Sequence, residues 1–555
     1  MTDAREPTAV PALRWQRLAL YTAPALVLLA VVVPFLSFHE YDLLLPESLI
    51  LIGGAAALGS AIGALSRVRR QTLGPMLMAL TLCVYIFYRQ EVTDALVVMA
   101  NAIAGTTGYA AIALAILGVA LFLAIALVCL TVRQHLDSIV AAVFATIVLS
   151  TVVLPTETGG EPVEAGALPK VLRSLPPVVH IILDEHIGLA GLPAGLEEAA
   201  AAGEAMQEVY KDFALYGRAY SRFAETKYAL TSLMNRDIGA DVGKMLESDL
   251  YKFAPTENAW FDLLKKKGYA IKVYQSAWFD MCGAHGAVDA CYTYSFFSPN
   301  AIQRAPLSTG QRLRALALKL FMGRGTLQLE PLVGMEALDR FRSDIAAVPR
   351  GVAYIVHVLI PHFGYLYADD CALLDPSQWE RERFGEDQAY SPAERISLYR
   401  RYLSQLACAT RQMDLLFAEL KRLGVYDEAT IIVHGDHGSR IAEKPFLTEM
   451  PQTLNGQDMI DHFATLLAIK APGVAAGIRA EPAALQHVFA ETFLGGSRSG
   501  GPNPDEVFIR IDDEEDRFAV LEFVWRDAAA PHQVERLAGE PGLASTRNLL
   551  GDLRR

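Results

Sequence analysis

Five apolar runs, at 18–36, 47–65, 72–88, 109–131 and 138–155, precede residue 156, after which short β-rich runs alternate with longer amphipathic ones. The run from Tyr109 to Leu130 is long enough to cross about 30 Å of hydrocarbon at roughly 1.5 Å per residue. The second and third are shorter, and the second is rich in glycine. A cleaved signal segment accounts for one such run, not for five. Arg5, Arg14, Arg17, Arg67, Arg69, Arg70 and Arg133 fall on one side of the expected spans and Arg89, with Glu91 and Asp94, on the other. By the positive-inside rule the first side is cytoplasmic, and five spans then deliver the rest to the periplasm or exterior. The expected organisation is a cytoplasmic N-terminus over 1–17, a membrane region over 18–155, an aperiodic linker over 156–171 and an exported domain over 172–555. The expected location is the inner (plasma) membrane, multi-pass.

Beyond the linker, Pro177 to Leu183, Tyr269 to Val273, Gly351 to Leu359 and Thr430 to His434 read as strands. Asn258 to Lys267, 396–423 and Asp461 to Lys470 read as helices, and 307–345 as a helical insertion. Val507 to Ile511 and Phe518 to Phe523 flank an acidic turn and read as a C-terminal hairpin. Strands and helices alternating at these lengths predict an α/β domain, with a mostly parallel central sheet flanked by helices, joined to an α-helical transmembrane region.

Composition narrows the function. Hydrophobic residues make up 52% of the chain and charged ones 20%, and acidic residues outnumber basic ones 62 to 49 for a net charge of −13. No basic stripe offsets that balance, so binding of nucleic acid through its phosphates is not expected. Interior charge is almost absent from the apolar runs, which argues against a transporter. Six cysteines in 555 residues do not make a disulfide framework. Cys282 and Cys291 bracket a short loop and suit a disulfide in an oxidising compartment, or a metal site with His285 and Asp289. Cys371 and Cys408 are expected to be unpaired.

In a sheet of this kind ligands gather beyond the carboxyl ends of strands. The first strand runs into Asp184-Glu185-His186, and the strand at 430–434 into Gly435-Asp436-His437-Gly438. Carboxylates and an imidazole at one sheet edge suit a single divalent ion, Zn²⁺ or Mn²⁺ before Ca²⁺ or Mg²⁺, with a polar turn cluster as the alternative.

These residues carry a resemblance. Ile181-Ile-Leu-Asp-Glu185, Phe223-Ala-Glu-Thr-Lys-Tyr-Ala-Leu-Thr-Ser-Leu-Met234, His357-Val-Leu-Ile-Pro-His362, Tyr426 to Gly438 and Asp461 to Gly473 resemble, in order and spacing, the sulfatase/alkaline-phosphatase-like membrane proteins. Within that family the chain is similar to lipoteichoic-acid synthases and lipid A phosphoethanolamine transferases. The resemblance covers residues 177 to about 475, together with the five-span N-terminus. It implies an alkaline-phosphatase/sulfatase-like fold. Its metal ligands would be Asp184 and Glu185 from the first strand and Asp436 and His437 from the later one. It further implies Thr226 as nucleophile and His362 as a substrate or leaving-group contact, with His357 either assisting or simply core.

Two departures stand out. No Cys/Ser-x-Pro/Ala-x-Arg motif, which arylsulfatases oxidise to formylglycine, lies near Thr226, and one alignment puts Ala229 rather than Thr226 in the nucleophile position. A threonine hydroxyl becomes a competent nucleophile beside a dication and at a helix N-terminus. Lys227, Arg222 and Arg440 are near enough in sequence to balance substrate charge. The expected function is a membrane-anchored, metal-dependent phosphohydrolase or phosphotransferase acting on a cell-envelope phosphoester or lipid-linked substrate, with membrane lipid as its surroundings. A sulfatase-like ester hydrolase and a catalytically inactive envelope scaffold are the alternatives.

Overall fold

The structure, a computed structural model, describes residues 11–38, 41–68, 73–88, 110–153, 162–170, 174–238, 242–243, 245–249, 252–283, 286–294, 300–322, 329–379, 390–444, 455–496, 506–512, 518–525 and 534–536. The chain divides into two compact units, one of residues 1–160 with 298–326, the other of 161–297 with 327–555.

The first unit is helical: α1 (Pro11–Phe38), α2 (Pro46–Ser66), α3 (Leu73–Tyr88), α4 (Ala110–Thr131) and α5 (Leu136–Val153). They coincide with the five apolar runs. Among the described residues, α2 and α5 are long and apolar enough to cross a membrane, and Thr22–Phe38, Leu73–Phe87 and Ile116–Thr131 are shorter apolar stretches. Also among the described residues, every exposed large apolar side chain except Val163, Ile396, Leu415 and Ile478 lies between Phe38 and Val153. Gly59 lets α2 touch α1, because a Cβ there would stand 2.3 Å from the Ala25 Cα. Buried Glu47, at the start of α2, accepts from Tyr41 Oη at 2.9 Å and lies 3.5 Å from Arg312 Nη1. Arg312 belongs to α9 (Thr309–Met322). The expected insertion is therefore split, because α9 joins this unit whereas α10 (Glu330–Ala347) belongs to the other.

In the second unit, β1 (Val163–Gly166), β2 (Val178–Leu183), β3 (Ala214–Tyr220), β6 (Ala270–Ser276), β7 (Ala290–Tyr294), β8 (Val352–Val358), β9 (Thr430–His434), β10 (Leu467–Lys470) and β11 (Gly477–Ala484) form one sheet in the order β1-β7-β6-β8-β2-β9-β10-β3-β11. The hairpin β4 (Leu246–Asp249) with β5 (Lys252–Pro255) stands apart. β7, β6, β8, β2 and β9 pair parallel, whereas β10 is antiparallel to both its neighbours and β1 to β7. Central strands are apolar on both faces, as a sheet covered on both sides requires. Val178 and Ile182 of β2 and Ala353 and Ile355 of β8 pack with Leu230, Trp260, Phe261 and Phe489. The alternate residues Tyr274 and Tyr354 face the other way and meet Phe341 of α10. The C-terminal hairpin is present as β12 (Glu506–Asp512) and β13 (Phe518–Trp525), extended by β14 (Val534–Arg536).

Four expectations need correction. Residues 163–166 of the expected linker form β1, on the sheet edge. The expected helix over 461–470 is instead the end of a helix, Gly456–Phe463, followed by β10. Leu466-Leu-Ala-Ile469 is buried on every side, so its periodicity does not distinguish strand from helix. The insertion is split as described. Finally, Cys371 is bonded to Cys408, alongside the expected Cys282–Cys291 bridge. His285, the alternative metal partner of that loop, lies outside the described residues.

The chain-entropy account gives the Cys371–Cys408 link, with a sequence separation of 37, roughly 3–4 kcal/mol. Non-reduced peptide maps of the full chain are expected to contain both bridges. Cys371→Ser should lower stability to urea by about that amount, and a map with Cys371 as a free thiol would contradict the pairing.

Candidate metal centre

Strand register brings the site together. β2 pairs parallel with β9 so that Val178 faces Thr430 and Ile182 faces His434. Continuing that offset sets Asp184 level with Asp436, just beyond both strand ends. One oxygen of Asp184, one of Asp436 and a ring nitrogen of His437 lie within 4.8 Å of one another, and all three residues are buried.

Each side chain is held by one atom while another faces the shared space. Asp184 Oδ2 lies 3.0 Å from His357 Nε2 on β8. Asp436 Oδ1 accepts from the Glu185 and His437 amides, both at 3.0 Å. The remaining oxygens, Asp184 Oδ1 and Asp436 Oδ2, accept no hydrogen bond of ordinary geometry and lie 3.8 and 3.2 Å from His437 Nε2. His437 Nδ1 is 2.9 Å from the Gly438 carbonyl, which can only accept, so the proton sits on Nδ1 and Nε2 of the neutral ring carries a lone pair. Burial costs a carboxylate several kcal/mol unless it is paired or binds a cation. Two orphaned carboxylate oxygens beside an imidazole lone pair, with the second imidazole nitrogen bonded to a carbonyl, make a donor set that fits a divalent ion.

Electrostatics agree. Burial raises the Asp436 pKa, yet its net shift is downward, because His437, the Thr226 hydroxyl, His357 and the Glu185 amide all favour the anion. Burial, followed by the nearby Arg440 guanidinium, lowers the His437 pKa against the pull of three carboxylates. For His362 burial opposes charge, but Glu185, Asp184 and Glu330 outweigh it and raise the pKa.

The other expected residues divide. Thr226 opens α7 (Thr226–Met234), with its Oγ1 3.3 Å from His437 Nε2. Ala229, its competitor, is fully buried in an apolar cluster with Phe223, Tyr228, Ile238 and Val242. Glu185 stands beside the three-ligand set without joining it: its Oε2 takes the Phe363 amide at 3.3 Å, and its Oε1 is 4.0 Å from His362 Nε2. Arg222 is committed to a fully buried ion pair with Asp237 at 2.7 Å, and Lys227 pairs with Glu225 at 3.0 Å. Arg440, by contrast, reaches His437.

Sequence reading missed what holds the loops still. α11 (Pro392–Arg422) carries Tyr399, Tyr402 and Gln405, all buried. Tyr402 Oη donates to the Glu185 carbonyl at 2.6 Å and accepts from the Ile187 amide at 3.0 Å. That pins a turn in which Glu185 has φ +61°, a conformation that costs a non-glycine residue on the order of 1 kcal/mol or more. Gln405 donates to the Pro361 and His362 carbonyls and accepts from the Leu366 and Tyr367 amides. Tyr399 bonds Ser439 at 2.9 Å and Asp461 at 2.5 Å. Beneath the site, His180 and His434 meet Nε2 to Nε2 at 2.8 Å, and His434 Nδ1 donates to the Gly435 carbonyl, steadying the peptide before Asp436. Burial lowers both pKa values. The available sequence signal was the polar residues on the inward side of a long amphipathic helix.

No protein-family model and no curated protein matches the sequence. Among solved structures the chain is similar to the phosphonate monoester hydrolase of Agrobacterium radiobacter, at 12% identity over 68% of this chain and 95% of that one, with a TM-score of 0.40. It is similar also to the phosphonate monoester hydrolase SpPMH from Silicibacter pomeroyi, at 14% identity over 68% and 94%, TM-score 0.41. A third is the PsFucS1 sulfatase from Pseudoalteromonas sp., at 13% identity over 66% and 82%, TM-score 0.36. Likeness of this degree assigns no activity; the chemistry has to come from the side chains.

Elemental analysis and calorimetry on the purified full-length chain should show one tightly bound Zn²⁺ or Mn²⁺. Asp184→Asn and Asp436→Asn should abolish it, and Glu185→Gln should retain it. His357→Ala, which unties Asp184, should weaken it by about 10–100-fold. Metal binding that survives Asp436→Asn at full strength would place the ion elsewhere.

Proposed function

We propose that the chain is a membrane-anchored, metal-dependent phosphohydrolase or phosphotransferase that acts through Thr226 on a phosphoester of the cell envelope. The observation that supports this most is the Thr226 hydroxyl, at the N-terminus of α7 and 3.3 Å from His437 Nε2, beside the two orphaned carboxylate oxygens. Asp184, Asp436 and His437 would hold the ion. When bound, a divalent cation supplies the positive charge that favours a threonine alkoxide and polarises a phosphoryl oxygen.

The chain's own groups do the rest. α7 presents Thr226 with its first backbone amides and the positive end of its dipole toward an incoming anion. Thr226 Oγ bonds to phosphorus as its proton leaves to solvent and the ester oxygen departs. His362, half-buried and with its pKa raised, gives that oxygen a proton. Water, or an acceptor hydroxyl, then takes the phosphoryl group and the threonine hydroxyl is restored. A sulfatase route is disfavoured, because neither Thr226 nor Ala229 is an oxidisable Cys or Ser.

The membrane part of the proposal is supported by apolar helices that keep large apolar side chains exposed, and by the arginine asymmetry between alternate loops. The same tether would hold the site near the bilayer, which supports an envelope substrate.

With a chromogenic phosphodiester, the full-length protein should release its leaving group, lose activity on chelation and regain it with Zn²⁺ or Mn²⁺. Quenched samples should carry a phosphoryl group on Thr226 by mass spectrometry. Thr226→Ala should bind metal normally and lose at least about a thousandfold in turnover. Turnover that persists in Thr226→Ala would eliminate the covalent route.

A further inference from the structure

Arg440 occupies an unusual position. It follows Gly438-Ser439 with φ +57°, a left-handed conformation that disfavours a long side chain. Its backbone cannot easily shift. The Arg440 amide bonds the Asp461 carbonyl at 2.7 Å, the Gly438 amide bonds the His462 carbonyl at 2.9 Å, and a Cβ on Gly438 would stand 2.3 Å from the Asp461 carbonyl oxygen. The strain is thus retained, and its result is to aim a guanidinium at the three-ligand set. Arg440 Nη2 lies 2.6 Å from His437 Nε2, and Arg440 Nε lies 3.1 Å from the Ala224 carbonyl and 3.9 Å from Glu185 Oε1.

The Nε2 contact carries a consequence. His437 Nδ1 bears the ring proton, because it faces a carbonyl, so Nε2 has a single lone pair to give. A guanidinium can only donate, so it uses that lone pair, and so would a metal ion. One lone pair serves one partner at a time. The guanidinium is also a planar cation, with Nε 3.9 Å from Glu185 Oε1, so it supplies part of the charge compensation that an ion would supply.

We propose that Arg440 competes with the metal for His437 and that, once the ion holds His437, its guanidinium turns to the phosphoryl oxygens of the substrate. This rests on the metal-dependent reading above and adds to it a substrate-contacting residue whose position is coupled to metal loading. The side chain is about one-fifth exposed, and it is the guanidinium rather than the loop that turns. Its forked donors match two phosphoryl oxygens, and the Ala224 carbonyl keeps its base two residues from Thr226 in the chain.

The competition predicts two effects of opposite sign, which a merely structural arginine would not produce. Calorimetry of Zn²⁺ or Mn²⁺ binding to the chelator-treated full-length protein needs no substrate. Arg440→Gln should bind the ion about 10- to 100-fold more tightly than the unaltered protein, the span that corresponds to losing one charge-assisted hydrogen bond. Inorganic phosphate, titrated into the metal-saturated proteins, should bind Arg440→Gln at least about tenfold more weakly, and KM for the phosphodiester should rise. Arg440→Lys, which keeps the charge but not the fork, should recover part of the phosphate affinity. Equal or weaker metal binding by Arg440→Gln overturns the proposal, as does unchanged phosphate binding. Failure of both proteins to bind metal at all overturns the metal-dependent reading itself, so the two failures are distinguishable.

Discussion

Two carboxylates, Asp184 and Asp436, are driven side by side into a buried space by the parallel pairing of β2 with β9, and much of the surrounding structure answers the repulsion that results. Like charges out of water are tolerated only when each is met by donors or cations. One oxygen of each is met by the protein: a histidine on β8 for Asp184, and two backbone amides for Asp436. The other two oxygens turn toward His437, with Thr226 and Arg440 at the same imidazole. Two carboxylates, a threonine hydroxyl and a guanidinium are thus gathered around one imidazole at one sheet edge.

That much was legible in the chain because it depends on short-range pattern. A buried strand announces itself as Val178-Val-His-Ile-Ile-Leu183, and the polar residues that follow must then stand beyond the sheet's edge. The same holds for Thr430 to His434 and Asp436. Pattern could not resolve Thr226 from Ala229, three positions apart at the start of one helix, because the contact of Thr226 Oγ1 with His437 Nε2 is made 211 positions away in the chain. Glu185 next to Asp184 looks equally able to bind a metal, and its carboxylate accepts from the Phe363 amide.

What remained illegible was long-range. Cys371 lies on a loop and Cys408 on a buried helix face, where a cysteine resembles any small core residue. The polar groups of α11 answer to loops more than 200 positions away in the chain for Tyr402 and to nearby ones for Gln405, and nothing local marks the pairing. β10 was misread for a related reason. A segment buried on all sides shows no alternation, and its antiparallel place between β9 and β3 is decided by the strands around it.

The spacing along α11 has a mechanical meaning. Tyr399, Tyr402, Gln405 and Cys408 follow at intervals of three, and at about 100° per residue each step falls about 60° short of a full turn. The series therefore winds around the helix like a screw thread, engaging in turn Ser439 and Asp461, the turn at 185–187, the 361–367 loop and Cys371. Separate stretches of chain are thereby indexed to a single rigid rod. Removing one residue from the middle of that thread would rotate everything beyond it by about 100° and disengage the later loops from the earlier ones. The length of this stretch of helix is therefore as much a part of the site as the loops that it holds.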